Sequence, residues 1–330
     1  MKITILGDGG WGTTLAVHLY GLGNSVKLWG AFPDYIKVLD KKRENTKFLP
    51  GVKIPKDLVL TSDLKDAIDG ADIILLAVPS QHMRGVLGKL KKAGCSHAKI
   101  ISATKGIEND KLLRMSEVIK EILGDIKLSV LSGPSIAYEV ARYMPTTVVV
   151  ASTDKNFARE VQSLFMSENF RVYTSPDIIG VELGGSLKNV VAVASGIADG
   201  LGFGANSKAA ILTRGLREIT RLGVAMGADK ETFSGLSCMG DLITTCMSKH
   251  SRNRWLGEEL GKGKKPQDII KSTEMVLEGF STTKSVYKLA KKKRVDMPIT
   301  NEMYAILHEN KDPKEAVSAL MTRAPKDEIY

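Results

Sequence analysis

Lys188 stands inside "VELGGSLKNVVAVASGIADG", residues 181–200, a stretch built almost wholly of apolar and small residues. If the stretch is helical, Gly184 and Gly185 lie four and three residues before the lysine and Ala192 four after it, all on its face. A glycine pair inside a helix costs about 1 kcal/mol each against alanine, so the space it opens should have a use. Two uses are open. A desolvated lysine has a lowered pKa and can serve as a general base. Alternatively the lysine snorkels to solvent while the glycines permit a close helix crossing.

A second constellation sits at the amino end. "GDGGWG" places Gly7, Gly9 and Gly12 in G-x-G-x-x-G spacing, directly after the apolar run "KITIL" and before a helical pattern. In that context Gly7 permits the tight turn, Gly9 lets backbone approach a pyrophosphate, and Gly12 lets helix pack on strand. The helix N-terminus adds free N–H groups for phosphates; a ligand-free glycine turn is the plainer reading. An acid or arginine that would choose between NAD and NADP belongs at the end of the second strand. There the chain has Gly30, Ala31 and Phe32, with Asp34 behind a proline, a place that equally suits a helix N-terminus.

Other polar groups cluster where strands should end. "VPSQHMR" carries Ser80 and Arg84, "ATKGIE" carries Lys105, and "LSGPSIA" carries Gly133 and Ser135. Each is open to a loop or helix-start reading as well as to an anion contact. Farther on, "GDLITTCMSKHSRNRWLG" concentrates Asp241, Thr245, Ser251, Arg252, Asn253 and Arg254, and "EMVLEGFST" sets Glu278 between helical patterns. Asp241 also suits an N-cap, and "SRNR" a solvated turn.

These residues need a frame. Apolar β-branched runs ("KITILG", "SVKLWG", "ADIILLAVP", "AKIISATKG", "KLSVLSG", "TTVVVAS", "FRVYTS") alternate with helical patterns, the mark of βαβ units and a mainly parallel sheet. Residues 45–62, with Pro50-Gly51 and Pro55, read as an irregular excursion. After Ser175-Pro176-Asp177, a helix start, no strand pattern follows, so the chain divides into an α/β Rossmann-like domain, 1–177, and an all-helical one, 178–330. "RAPKDEIY" reads as a loose tail.

Composition sets bounds. With 330 residues, 43% hydrophobic and 25% charged, the chain is in the range of two-domain globular proteins. The start "MKITILG" is already strand-like, and no apolar run is expected to approach the ~18 residues of a membrane span, so a cytoplasmic protein is expected. Three cysteines (Cys95, Cys238, Cys246), an odd number without CxxC spacing, suggest neither a zinc site nor a disulfide framework, and no metal site is read. The net charge of +10 is shared evenly across the two parts. Its densest runs, "KKR", "GKGKK" and "KKKR", lack interleaved aromatics, which favours solvated helix faces over a nucleic-acid site.

Taken in order, "GDGGWGTTLA", "VPSQ", "TKGIE", "LSGPS", "ELGGSLKNV", "GDLITTC", "SRNR", "VLEG" and "DMPI" resemble the bacterial-type NAD(P)-dependent sn-glycerol-3-phosphate dehydrogenases over nearly the whole length. The resemblance implies a helical domain like the C-terminal part of 6-phosphogluconate dehydrogenase and a homodimer. It also implies a phosphorylated small-molecule substrate, and a role supplying glycerol 3-phosphate for phospholipid synthesis. It implies Lys188 as proton acceptor, with Lys105, Gly133, Ser135, Asp241, Ser251, Arg252 and Asn253 contacting substrate. Gly10, Trp11, Ala137, Val276 and Glu278 match cofactor contacts, and Lys105 and Arg252 serve both. The family's basic residue is missing at Ala31 and Phe32, which tilts the expected cofactor from NADP toward NAD; Ile136 is a second departure, without a reading. A β-hydroxyacid dehydrogenase acting on a carboxylate, or a non-catalytic dinucleotide sensor, are the rival readings.

Overall fold

The computed structural model describes residues 1–94 and 98–328, which leaves Cys95 outside the described residues. Among the described residues eight strands form one sheet: β1 (Lys2–Leu6), β2 (Ser25–Trp29), β3 (Val59–Thr61), β4 (Ile73–Leu76), β5 (Lys99–Ser102), β6 (Leu128–Ser132), β7 (Thr146–Ala151) and β8 (Phe170–Ser175). Their order is β3-β2-β1-β4-β5-β6-β7-β8, parallel throughout except where β7 meets β6. Central strands such as "IILL" of β4 and "LSVLS" of β6 are buried along their whole length, because helices cover both faces. The chain leaves β1 for β2 on one side and resumes at β4 on the other, so a crevice opens at the carboxyl ends of β1 and β4.

β3 is a correction. The segment 45–62 was expected to be irregular, yet its last residues extend the sheet, with Leu60 opposite Leu28. Three residues offer too little alternation to read as a strand; pairing with β2 creates it.

The reversal at β7 decides where the catalytic half begins. Because β7 and β8 run against β6, Ser175 ends beside the start of β6, at the far end of the sheet from the crevice. The helix Ile178–Gly200 starts there, capped by Asp177, whose carboxylate accepts from the Gly180 N–H at 2.8 Å. Ile178 and Val181 pack on Val130 and Val149, and the helix then climbs toward the crevice over its length of roughly 34 Å.

Around that helix wrap Ala205–Ala225, Asp241–Met247, Arg252–Gly261 and Glu278–Lys293. The crossing with Arg252–Gly261 is backbone to backbone: a Cβ on Gly257 would stand 2.0 Å from the Val193 carbonyl, and one on Gly196 would overlap the Arg254 carbonyl at 1.9 Å. Contrary to expectation, Ile178–Gly200 is long and apolar enough to cross a membrane, but 94% of its most apolar window is buried inside the protein. Its interior charges make the run look interrupted, whereas the helix averages over them.

The tail also differs from expectation. Residues 322–328 form no helix, yet Arg323 and Lys326 reach the Asp296 carboxylate at 3.0 and 3.4 Å, and Arg214 donates to the Glu328 carbonyl at 3.3 Å. The basic runs finish helices: "KKR" ends Pro33–Lys42 and "KKKR" ends Glu278–Lys293, where positive charge suits the helix dipole.

Candidate active site

Lys188 does not snorkel. It is 6% exposed, and its ammonium donates to Asp241 Oδ1 and to Thr245 Oγ1, the latter at 2.6 Å. Asp241 and Thr245 are one turn apart on the short helix Asp241–Met247, so both face the core helix. Gly240, not Asp241, takes the N-cap position; a widened turn, Leu236–Gly240, delivers Asp241 to the first helical position with its carboxylate turned inward.

The second oxygen of Asp241 accepts from Lys105 Nζ at 2.6 Å, and Lys105 also donates to the Gly133 carbonyl at 3.0 Å. One carboxylate thus serves two ammonium groups. Burial pushes Lys188 down to about 8, with the charge of Lys105 pulling the same way and Asp241 opposing. A lysine of this kind gives up its proton near neutrality, as a general base must.

The glycines beside it have the other role foreseen for them. A Cβ on Gly184 would stand 2.6 Å from Cys238 Cβ, and one on Gly185 would stand 2.4 Å from Ser132 Oγ. Protein, not ligand, fills that space: the pair lets the widened turn and the end of β6 close on the helix. Burial raises the Cys238 thiol, which stays protonated as packing.

"SRNR" is a helix start rather than a solvated turn. Ser251 Oγ caps it by accepting from the Arg254 N–H at 3.2 Å, and Arg254 pairs with Asp199 at 2.6 Å. Asn253 is buried, donating to Asn189 Oδ1 and accepting from the Gly279 N–H, both at 2.8 Å. Its amide therefore ties together the core helix, its own helix and the helix Glu278–Lys293. Arg252 makes no hydrogen bond or ion pair among the described residues; its surface is open to solvent, yet the protein around it lowers it from the ordinary arginine value by desolvation, against the attraction of Glu278. Ser135 Oγ is turned onto the Gly133 carbonyl at 2.9 Å, and Gly133 itself has φ 134° against the Val148 backbone, where a side chain would not fit.

At the crevice, Gly7 adopts φ 122°, and Gly12 packs so tightly that a Cβ would meet the Gly7 carbonyl at 1.8 Å. Gly9, by contrast, has nothing within 4 Å of where a Cβ would be. The helix Gly10–Gly21 has neither a capping side chain nor an acid in its first turn, so no side chain among the described residues satisfies its leading N–H groups. Trp11 rests on the sheet core, Gly10 lies under the Phe48 carbonyl, and Ala137 accepts from Thr14 Oγ1 at 3.2 Å. Glu278 accepts from the Ser80 N–H at 2.9 Å and Ser80 Oγ at 2.6 Å, a contact that Gly106 makes room for. Burial raises its carboxyl, against those bonds and the attraction of Arg252. Val276 is exposed on the approach to Glu278. Arg84 lies outside this group, bound to Glu108 and Glu121.

The structure therefore gathers Lys105, Gly133, Lys188 and Asp241 at one point and the glycine turn at another. Ser251 and Asn253 stand at the start of the neighbouring helix, held by hydrogen bonds within the protein. Asn189 is an addition to the site, signalled by its place next to Lys188, and Thr245, noted with Asp241 in the sequence, gains its partner Lys188 here.

Comparison with known proteins runs along the same line. Two family models match, the NAD-dependent glycerol-3-phosphate dehydrogenase N-terminus over residues 2–158 and its C-terminus over residues 177–318. Proteins of Chlorobium phaeobacteroides (strain BS1) and Thermoanaerobacter sp. (strain X514), both named as NAD(P)+ glycerol-3-phosphate dehydrogenases, are each 50% identical over 100% of this chain and 99% of their own. The crystal structure of glycerol-3-phosphate dehydrogenase from Coxiella burnetii superposes with a TM-score of 0.95 at 39% identity, covering 98% of this chain and 99% of that one. Sequence and fold agree end to end, and the chain belongs to the NAD-dependent glycerol-3-phosphate dehydrogenase family.

Proposed function

We propose that Lys188 is the proton acceptor as the chain oxidises the C2 hydroxyl of sn-glycerol 3-phosphate to the ketone of dihydroxyacetone phosphate, and the donor in the reverse reduction. What carries the reading is the buried Lys188 ammonium on Asp241, its pKa lowered toward neutrality. The glycine turn fits a dinucleotide: Gly9 leaves room for a pyrophosphate, the first-turn N–H groups are uncapped, and a buried Asp8 oxygen lacks a partner. When bound, the nicotinamide nucleotide supplies the hydride acceptor for oxidation and the donor for reduction.

The other roles follow from position. Asp241 orients both lysines, so Lys188 meets the C2 oxygen and Lys105 the neighbouring polar groups of the substrate. Arg252, outward-facing at a helix N-terminus, suits the phosphate, to which a guanidinium offers two parallel donors. Ser251, Asn253 and Asn189 hold that helix start in place. Gly133 and Ser135 bound the substrate on the β6 side; Gly7, Gly9, Gly10, Trp11, Gly12, Ala137, Val276 and Glu278 line the nucleotide path. In this division of labour residues 1–177 hold the nucleotide and residues 178–330 bring the proton acceptor and the phosphate contact, in a cytoplasmic enzyme with NAD the preferred cofactor.

The test follows NADH and NADPH consumption with dihydroxyacetone phosphate in the wild type and in Lys188→Ala. The variant should lose about 10²- to 10⁴-fold in kcat. No turnover by the wild type with either nucleotide refutes the reaction; near wild-type turnover by the variant refutes the role of Lys188.

A further inference from the structure

The strand-end acid that selects NAD is absent from β2, where Gly30 and Ala31 are followed by the exposed Phe32. A carboxylate lies there all the same, supplied by the glycine turn. β1 and β2 are neighbours, with Leu6 opposite Trp29, so the residue just past Gly7 can reach across to the end of β2. That residue is Asp8. A Cβ on Gly30 would stand 2.3 Å from Asp8 Oδ2 and 2.6 Å from its Cγ, so Gly30 is what makes room for the carboxylate.

The neighbouring donors are turned elsewhere. Tyr35 donates its hydroxyl to Asn45 Oδ1 at 2.6 Å, and Asn45 donates to the Asp8 carbonyl at 2.8 Å and to Thr13 Oγ1 at 2.7 Å. Lys47 attracts Asp8 only at longer range while pairing with Glu274. Asp8 Oδ2 is consequently buried with no hydrogen-bond partner among the described residues, a costly state for a carboxylate oxygen and one that a ligand hydroxyl would relieve. Burial also raises the Asp8 carboxyl, as a missing donor would lead one to expect.

We infer that Asp8 is the residue that selects the cofactor: it stands in for the strand-end acid, accepting from the 2′-hydroxyl of the adenosine ribose and repelling a 2′-phosphate, with Gly30 as its space-maker. The inference rests on the dehydrogenase reading above and extends it to one residue that motif matching treats as variable.

Binding tests it without turnover. Affinities of ADP-ribose, 2′-phospho-ADP-ribose, NADH and NADPH are measured by titration calorimetry for the wild type, Asp8→Ala and Asp8→Asn. The wild type should prefer the two ligands without the 2′-phosphate. Asp8→Ala should bind ADP-ribose about 10-fold or more weakly, the size of a lost charged hydrogen bond, while its affinity for the 2′-phosphorylated ligands rises. Asp8→Asn, similar in volume but uncharged, should keep more of the ADP-ribose affinity and still lose discrimination; it decides the matter if the alanine variant does not fold. Selectivity within about twofold of wild type in the folded variants overturns the inference and leaves the dehydrogenase reading intact. A wild type that prefers the phosphorylated ligands also overturns it, whereas one that binds none of the four refutes both readings.

Discussion

Two lysines share one aspartate, and that arrangement sets how the protein should respond to pH. Lys188 is lowered to about 8, so at pH 7 only about a tenth of it is neutral and able to accept a proton. Oxidation of glycerol 3-phosphate, which needs the neutral form, should therefore accelerate as pH rises through about 8, and reduction, which needs the ammonium, should decline over the same range. Initial rates in both directions between pH 6 and 9, at saturating nucleotide, check this; two parallel profiles would contradict it. Only the neighbourhood lowers Lys188 this far. Its sequence context raised the question, but the answer required knowing that Asp241, 53 residues away, opposes the lowering and that Lys105 assists it.

Among the elements, the crossing of Ile178–Gly200 with Arg252–Gly261 does most to place Arg252, the proposed phosphate contact. Small residues on both helices bring backbone against backbone, so the start of the second helix, with Arg252 on it, has no freedom to shift along the first. Gly257→Ala would put a methyl 2.0 Å from the Val193 carbonyl, and the helices would have to part. Overpacking of this sort costs about 1–3 kcal/mol. The urea midpoint should fall accordingly while KM for dihydroxyacetone phosphate rises more than kcat falls, since Arg252 moves and Lys188 does not. An unchanged KM in a destabilised variant would show that the crossing supports the fold without positioning the substrate. The glycines were legible as a request for space; whether a ligand or a neighbouring element filled it was not, because both demand the same residue.

At the scale of the whole molecule, buried polar contacts bind the sheet to the helical half. Glu182 accepts from Arg114 at 2.5 Å, from the Ser116 N–H at 2.7 Å and from Ser116 Oγ at 2.6 Å, all buried. Ser285 donates to the Ile107 carbonyl at 2.9 Å, and Tyr138 stacks on His250 with ring centroids 4.7 Å apart. Glu182→Ala would leave Arg114 buried near only hydroxyl and backbone partners and the more distant Glu117 at 3.1 Å. Losing one member of a buried pair costs about 3–5 kcal/mol, so a drop of that size in unfolding free energy is expected. A variant as stable as wild type would mean that solvent reaches Arg114 freely.

Seven of the eight strands, the glycine turn with its helix and the chain's exit from the sheet near Asp177 could all be read from local patterns, and the small-residue face around Lys188 was visible in the same way. Each depends on near neighbours in sequence: a period of two, a period of 3.6, a turn that needs glycine, a cap next to its helix. β3, the docked tail, the Lys188–Thr245 contact, the Asn253–Asn189 pair and the Asp8–Gly30 contact could not be read that way. Those features exist only once segments far apart in the chain are packed together. A side chain's charge state and its free hydrogen-bonding capacity are set by whatever removes its water and whichever groups then face it, and local sequence carries neither.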